Sequence, residues 1–171
     1  SRLVSSPVGR RLGPRDPAVT SRMMARVRNK DSKAELALRR ALHALGVRYR
    51  LHAPDVLGRP DLVIRSRRLA VFVDGDLWHG NPQEVRRRGR ANLAELFPSR
   101  TEWWVAKIER TMARDREVTD TLRAQGWTVL RLWEHDVLLD PAGAALSVQE
   151  KLHRRCGEPP AVRSAVAPTR Q

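Results

Sequence analysis

Apolar residues along this 171-residue chain change spacing several times, and each change marks a structural element. Ala34, Leu38, Ala41, Leu42 and Leu45 recur on one helical face. They follow Ser32-Lys33-Ala34-Glu35, a capping-box signature, and stop at Gly46, so a helix is predicted between Ser32 and Gly46. A shorter basic helix over Ser21–Asp31, around Met23-Met24, precedes it. Val47–Leu51 reads as a strand, followed by a loop containing Pro54. Leu62-Val63-Ile64 and Leu69–Val73 are short apolar runs separated by the polar turn Arg65–Arg68, a pattern that predicts an antiparallel hairpin. Regular patterning fades from Gly80 to Arg100. Thr101 then caps a long predicted helix, Glu102–Gln125, closed by Gly126, with Val105, Ile108, Met112 and Leu122 facing inward. Trp103 and Trp104 open that helix, and one of them is expected in the core. Trp127–Trp133 is a strongly β-prone strand that ends at Glu134-His135-Asp136. Asp140-Pro141 starts a last helix that runs to about Arg155.

The two ends lack such spacing. Residues 1–20 mix Ser, Pro, Gly and Arg, which predicts a flexible basic arm, and residues 157–171 read as a flexible tail. One domain, 21–156, lies between them, and its 41% hydrophobic content is enough for a core. A net charge of +14 points to a polyanion, with nucleic acid ahead of an anionic membrane surface. No apolar run reaches transmembrane length and no secretory signal stands at the start, so a cytoplasmic protein is expected, nucleoid-associated when bound to DNA. Cys156 is the only cysteine, which excludes an intrachain disulfide and a cysteine-rich zinc cluster. Lysine occurs only at 30, 33, 107 and 151, so arginine carries the charge. Genomic composition and phosphate recognition both produce that bias, and composition does not separate them.

Candidate chemistry gathers at the hairpin. Antiparallel pairing brings Asp61, before the first strand, close to Asp74, at the end of the second. Like charges held together raise each other's pKa unless a cation sits between them, and a hard divalent ion such as Mg²⁺ suits carboxylate oxygens. Asp76 offers a further oxygen, and His79 brings an imidazole suited to proton transfer near neutral pH. Glu35 has two readings, the reciprocal cap of its own helix or a carboxylate reaching the metal, and its spacing favours the cap. The run Arg86-Arg87-Arg88-Gly89-Arg90 reads either as a solvated helix face or as a phosphate contact.

Five stretches, SRMMARVRNKDSKAE, PDVLGRPDLVI, VFVDGDLWHG, TEWWVAKIERTMARDRE and LRAQGWTVLRLWE, carry a resemblance over roughly Ser21 to Arg155. In order and spacing they resemble the very-short-patch repair (Vsr-type) endonucleases of the PD-(D/E)xK superfamily. The resemblance implies an α/β, restriction-endonuclease-like core with a mixed central sheet flanked by helices. It implies a DNA endonuclease that uses Mg²⁺, with Mn²⁺ as a substitute, to nick double-stranded DNA beside a T:G mismatch left by deamination of 5-methylcytosine. Asp61 matches the metal-binding aspartate, with Asp74 expected beside it. His79 matches the histidine that activates or positions water, Glu35 the first-helix glutamate and Asp115 the long-helix aspartate, which moves Glu35 towards function. Leu77, Trp78 and Trp104 fall where the family drives side chains into the duplex, Leu77 replacing an aromatic. Arg22, Arg26, Arg86, Arg87, Arg88 and Arg90 are the expected DNA-contacting cations, and a monomer is the expected state. The chain departs from the family in two respects. Asp74 stands where a histidine is usual, and Asp76 and His135 occupy positions of zinc-binding cysteines, so no zinc is expected. The rival readings are a nuclease of the same fold acting on another mismatch, a modified base or branched DNA, and a non-catalytic DNA-binding module.

Overall fold

A computed structural model describes residues 31–153. The expected arm, the basic helix before Asp31 with Arg22 and Arg26, Cys156 and the tail lie outside the described residues. Within them the order is α1 (Lys33–Ala44), β1 (Arg50–Leu51), β2 (Leu62–Ile64), β3 (Leu69–Asp74), α2 (Pro82–Arg87), α3 (Thr101–Ala124), β4 (Thr128–Trp133), α4 (Glu134–Leu139) and α5 (Pro141–His153), with single 3₁₀ turns at Arg65–Arg67 and Ala94–Leu96.

The strands form one mixed sheet in the order β1-β2-β3-β4. The hairpin is antiparallel, with Leu62 opposite Val71 and Ile64 opposite Leu69. β4 returns parallel to β3, Leu69 opposite Thr128 and Asp74 opposite Trp133, a pairing that needs the long crossover α3 supplies. Side-chain alternation then builds two cores. Leu62, Ile64, Leu69 and Val71 pack with Leu38 and Leu42 of α1, Val137 of α4 and Val148 of α5. Val63, Ala70, Phe72 and Val129 face the other way, against Val118 and Leu122 of α3 and the loop residues Ala53 and Val56. The sheet is therefore covered on both faces, as the α/β reading expects.

Several elements differ from expectation. In α1 the Ser32 side chain accepts the Glu35 N–H, while Glu35 reaches one residue further back than a capping box requires and accepts the Asp31 N–H. Leu45 leaves the apolar face and is exposed, because the helix ends one residue before it. Of the strand expected over Val47–Leu51, only Arg50–Leu51 pairs. Thr101 is the first helical residue of α3 rather than its cap. Arg100, in left-handed conformation, holds the cap position without a side-chain bond. In α3, Ile108, Val118 and Leu122 are buried, whereas Val105 and Met112 are half-buried. Trp103 is exposed and Trp104 half-buried, so neither joins the core. Asn81-Pro82 starts a helix inside the stretch where patterning fades, the Asn81 side chain accepting the Gln83 N–H.

Candidate active site

Asp61 sits between buried Pro60 and β2, where the Val73 N–H of β3 donates to its Oδ2 at 2.7 Å. Its Oδ1 makes no hydrogen bond among the described residues. Burial pushes the Asp61 carboxyl up to about 6, and the charges of Glu35 and Asp74 push the same way against the Val73 hydrogen bond.

Asp74, two residues after Phe72 on the α3 side of the sheet, is buried, and burial raises its carboxyl despite the opposing charges of His79 and Arg131. Arg131 Nη1 lies 2.9 Å from Asp74 Oδ1 and 2.8 Å from Oδ2. His79 follows in the loop after β3. Gly80 lets that loop turn, since its φ of +72° favours glycine and a Cβ there would collide with Met112 of α3. The loop thereby presents His79 to the same helix, with Nδ1 2.6 Å from Asp115 Oδ2 and 3.7 Å from Asp74 Oδ1. Burial alone pulls the imidazole down, but the Asp115 hydrogen bond and the charges of Asp74 and Asp115 outweigh it and raise the pKa.

Ligand atoms of Asp74, His79 and Asp115 lie within 4.8 Å of one another, as do those of Asp31, Glu35 and His52. Each cluster already holds a cation. Arg131 serves the first, and Arg39, bonded to Asp31 at 2.7 Å, Glu35 at 3.1 Å and His52 at 3.1 Å, serves the second. Asp61 belongs to neither cluster and has no cation in hydrogen-bond contact. Glu35 is buried, and its Oε2 is engaged by the Asp31 N–H and by Arg39. The structure brings Asp74, His79 and Asp115 into direct contact and places Asp61 within the fields of Glu35 and Asp74.

Asp76, read from the sequence as a further metal oxygen, is used elsewhere. Its Oδ1 accepts Asn81 Nδ2 at 2.6 Å and Arg87 Nη2 at 3.1 Å, and its Oδ2 accepts the His135 N–H at 2.9 Å. Asp76 and His135, where the resemblance implies cysteines, are thus joined by a hydrogen bond. Glu134, beside them, was not singled out in the sequence. Burial raises its carboxyl, with the charges of Asp76 and Glu35 adding to the effect.

Next to the acidic residues lies an aromatic shelf. The Trp104 ring is 5.6 Å from Trp78, stacked on Phe97 at 5.3 Å and edge-on to Trp103 at 4.6 Å. Lys107 Nζ lies 5.1–5.9 Å from the centres of Trp78, Trp103 and Trp104, and the Arg100 guanidinium 4.7 Å from that of Trp103. Leu77, half-buried, precedes Trp78 in the same loop. Phe97 and Arg100 escaped the sequence reading because a stretch without periodicity hides which residues meet, and Lys107 because helical spacing does not show which rings lie opposite it. In the arginine run, Arg87 and Arg88 pair with Glu84, while Arg86 and Arg90 are exposed and unpaired among the described residues.

Residues 15–84 match the family model described as DNA mismatch endonuclease Vsr. The chain is 40% identical over 141 residues to a type II nicking enzyme, V.NmeDIP, of Neisseria meningitidis serogroup C, covering 82% of this chain and 90% of that one. It is 37% identical over 134 residues to the type II nicking enzyme V.HpaIIP of Haemophilus parainfluenzae, covering 78% and 90%. To the DNA mismatch endonuclease Vsr of Escherichia coli (strain K12) it is 31% identical over 119 residues, covering 70% and 71%. On matches of this identity and extent, the chain belongs to the Vsr family of DNA mismatch endonucleases.

Proposed function

We propose that this endonuclease nicks one strand of duplex DNA at or beside a mismatch, with the T:G pair left by deaminated 5-methylcytosine as its substrate, and that it requires Mg²⁺ or, in its place, Mn²⁺. The observation that carries the reading is the Asp61 carboxylate, desolvated, within the fields of Glu35 and Asp74 and without a bonded cation. Such a hard oxygen donor fits a divalent ion, which would offset the charge that burial penalises. Asp61 would hold the ion, and the ion would supply polarisation of the scissile phosphate.

The remaining work falls to side chains. Asp115 fixes the Nδ1 edge of His79, leaving Nε2 to orient or deprotonate the attacking water. Trp78 and Trp104, with Leu77, enter the duplex where a mismatch lowers the cost of unstacking. Lys107, Arg100, Arg86 and Arg90 engage phosphates. Glu35 completes the acidic set from α1. A mismatch is an asymmetric lesion, so the domain over 21–156 acts as a monomer, in the cytoplasm and on the nucleoid.

The test is strand cleavage of end-labelled duplexes, one with a central T:G pair, others with different mismatches and one fully paired, in Mg²⁺ or EDTA. Metal-dependent nicking confined to T:G is the expected result, with Asp61→Asn inactive. Equal cutting of paired DNA would overturn the mismatch assignment.

A further inference from the structure

We propose that Arg131 is a positioning residue that commits Asp74 to the histidine site and keeps it from serving as a metal ligand. The proposal rests on His79 being the residue that handles water. Parallel pairing places Phe72 opposite Arg131 and Asp74 opposite Trp133, so Arg131 and Asp74 project from the same face of neighbouring strands.

Every edge of the guanidinium is held. Nη1 bonds both oxygens of Asp74 at 2.8–2.9 Å and lies 3.5 Å from Asp115 Oδ1. Nη2 donates to the Asp115 carbonyl at 3.4 Å, and Nε donates to Thr119 Oγ1 at 2.9 Å. The plane covers the Phe72 ring, its centre 4.3 Å away. Only arginine offers donors in this fixed planar fork.

Two consequences follow from this arrangement. The Asp74 side chain is 9% exposed, and a carboxylate that deep needs a paired cation, which Arg131 provides. A divalent ion on the same oxygens would sit against a guanidinium, a like-charge contact. Meanwhile the two carboxylates flanking His79 Nδ1, Asp115 at 2.6 Å and Asp74 at 3.7 Å, are tied to one cation, so the ring orientation depends on Arg131.

The experiment compares Arg131→Met, Arg131→Lys, Asp74→Asn and the double variant Asp74→Asn/Arg131→Met in the full chain. It measures Mg²⁺ affinity by calorimetry without DNA, and single-turnover nicking at saturating DNA and Mg²⁺. Arg131→Met should slow nicking about 10- to 100-fold with DNA affinity unchanged, the usual range for residues supporting an active-site group. It should also bind Mg²⁺ more tightly, because the released Asp74 can join Asp61. The double variant should return Mg²⁺ affinity to the parent value, and Arg131→Lys, whose ammonium keeps the charge but lacks the planar fork, should restore only part of the rate. Asp74→Asn alone should leave Mg²⁺ affinity within about twofold. If it instead weakens Mg²⁺ binding about tenfold or more, Asp74 contributes to the metal site and the proposal is wrong. That comparison decides the matter even if Arg131→Met does not fold. A parent protein that nicks no duplex would overturn the proposed function, whereas the Mg²⁺ comparison would still decide whether Arg131 withholds Asp74.

Discussion

His79 Nδ1 lies 2.6 Å from Asp115 Oδ2, a bond that joins the loop after β3 to the middle of α3. Replacing Asp115 by Asn removes the charge that helps hold His79 above its usual value. Nicking should fall about 100-fold or more, the scale of a disrupted general base. The acidic limb of the pH–rate profile should move to lower pH, since the remaining imidazole loses its proton more easily. Stability carries the same signature. A group with a raised folded pKa contributes stability that is full below its unfolded value, near 6.5, and lost as pH rises through the folded one. The melting deficit of Asp115→Asn should therefore be larger at pH 5.5 than at pH 9.

Asp61 has the opposite sense. Its folded pKa, raised to about 6, means that the native state binds the proton more tightly than the unfolded chain does. Stability is therefore lost as pH rises from about 4 to 6, and the penalty is full above that. In EDTA at pH 7.5, Asp61→Asn should be more stable than the parent, by on the order of 2 kcal/mol, with the difference gone near pH 3.5. Adding Mg²⁺ should raise the parent's melting temperature and leave that of Asp61→Asn unchanged. Thermal melts at two pH values, with and without Mg²⁺, check both statements.

Trp104 touches three other rings of the shelf. Trp104→Ala should cost about 1–3 kcal/mol in binding a T:G duplex, roughly 5- to 150-fold, while binding to paired DNA changes much less. Competition binding at fixed salt reads the ratio. An equal loss on both duplexes would mean that the ring supports the fold rather than the lesion.

Within the arginine run, position in the ion-pair network sets the expected effect. Arg86 and Arg90 have no partner among the described residues, whereas Arg87 and Arg88 share Glu84 and Arg87 also pairs with Asp76. Substituting Gln at 86 and 90 should reduce the salt slope of DNA binding by about 2, one per phosphate contact. The same change at 87 and 88 should reduce it less. Binding isotherms across a salt series distinguish the pairs.

Asp76→Ala would leave the His135 N–H, Asn81 Nδ2 and Arg87 without their shared acceptor. A destabilisation of about 1–3 kcal/mol is expected from the unmet donors. Chemical denaturation measures it, and a zinc chelator should leave the parent's curve unchanged.

Local patterns made much of this architecture legible. Ser32 and Glu35 announced α1 by their spacing, and the apolar runs around Arg65–Arg68 announced the hairpin that carries Asp61 and Asp74. Asn81-Pro82 carried an equally local helix signal that the absence of apolar periodicity obscured. Trp103 and Trp104 were misread because burial depends on what lies opposite a helix, and the first turn of α3 packs against Trp78 and Phe97 rather than the sheet. Arg131 was illegible for a different reason. It occupies an ordinary alternating position in a strand, and its partner Asp74 is 57 residues away, joined only through the parallel return of β4.

That late return has a consequence for synthesis. Glu35, Asp61 and His79 all emerge before α3, but Asp115 and Arg131 follow them, and Arg131 reaches Asp74 only when β4 pairs with β3. A chain that ends before β4 carries Asp74, His79 and Asp115 without the arginine that ties the two carboxylates together. β4, the last strand among the described residues, therefore closes this cluster only once the chain through Arg131 has been made.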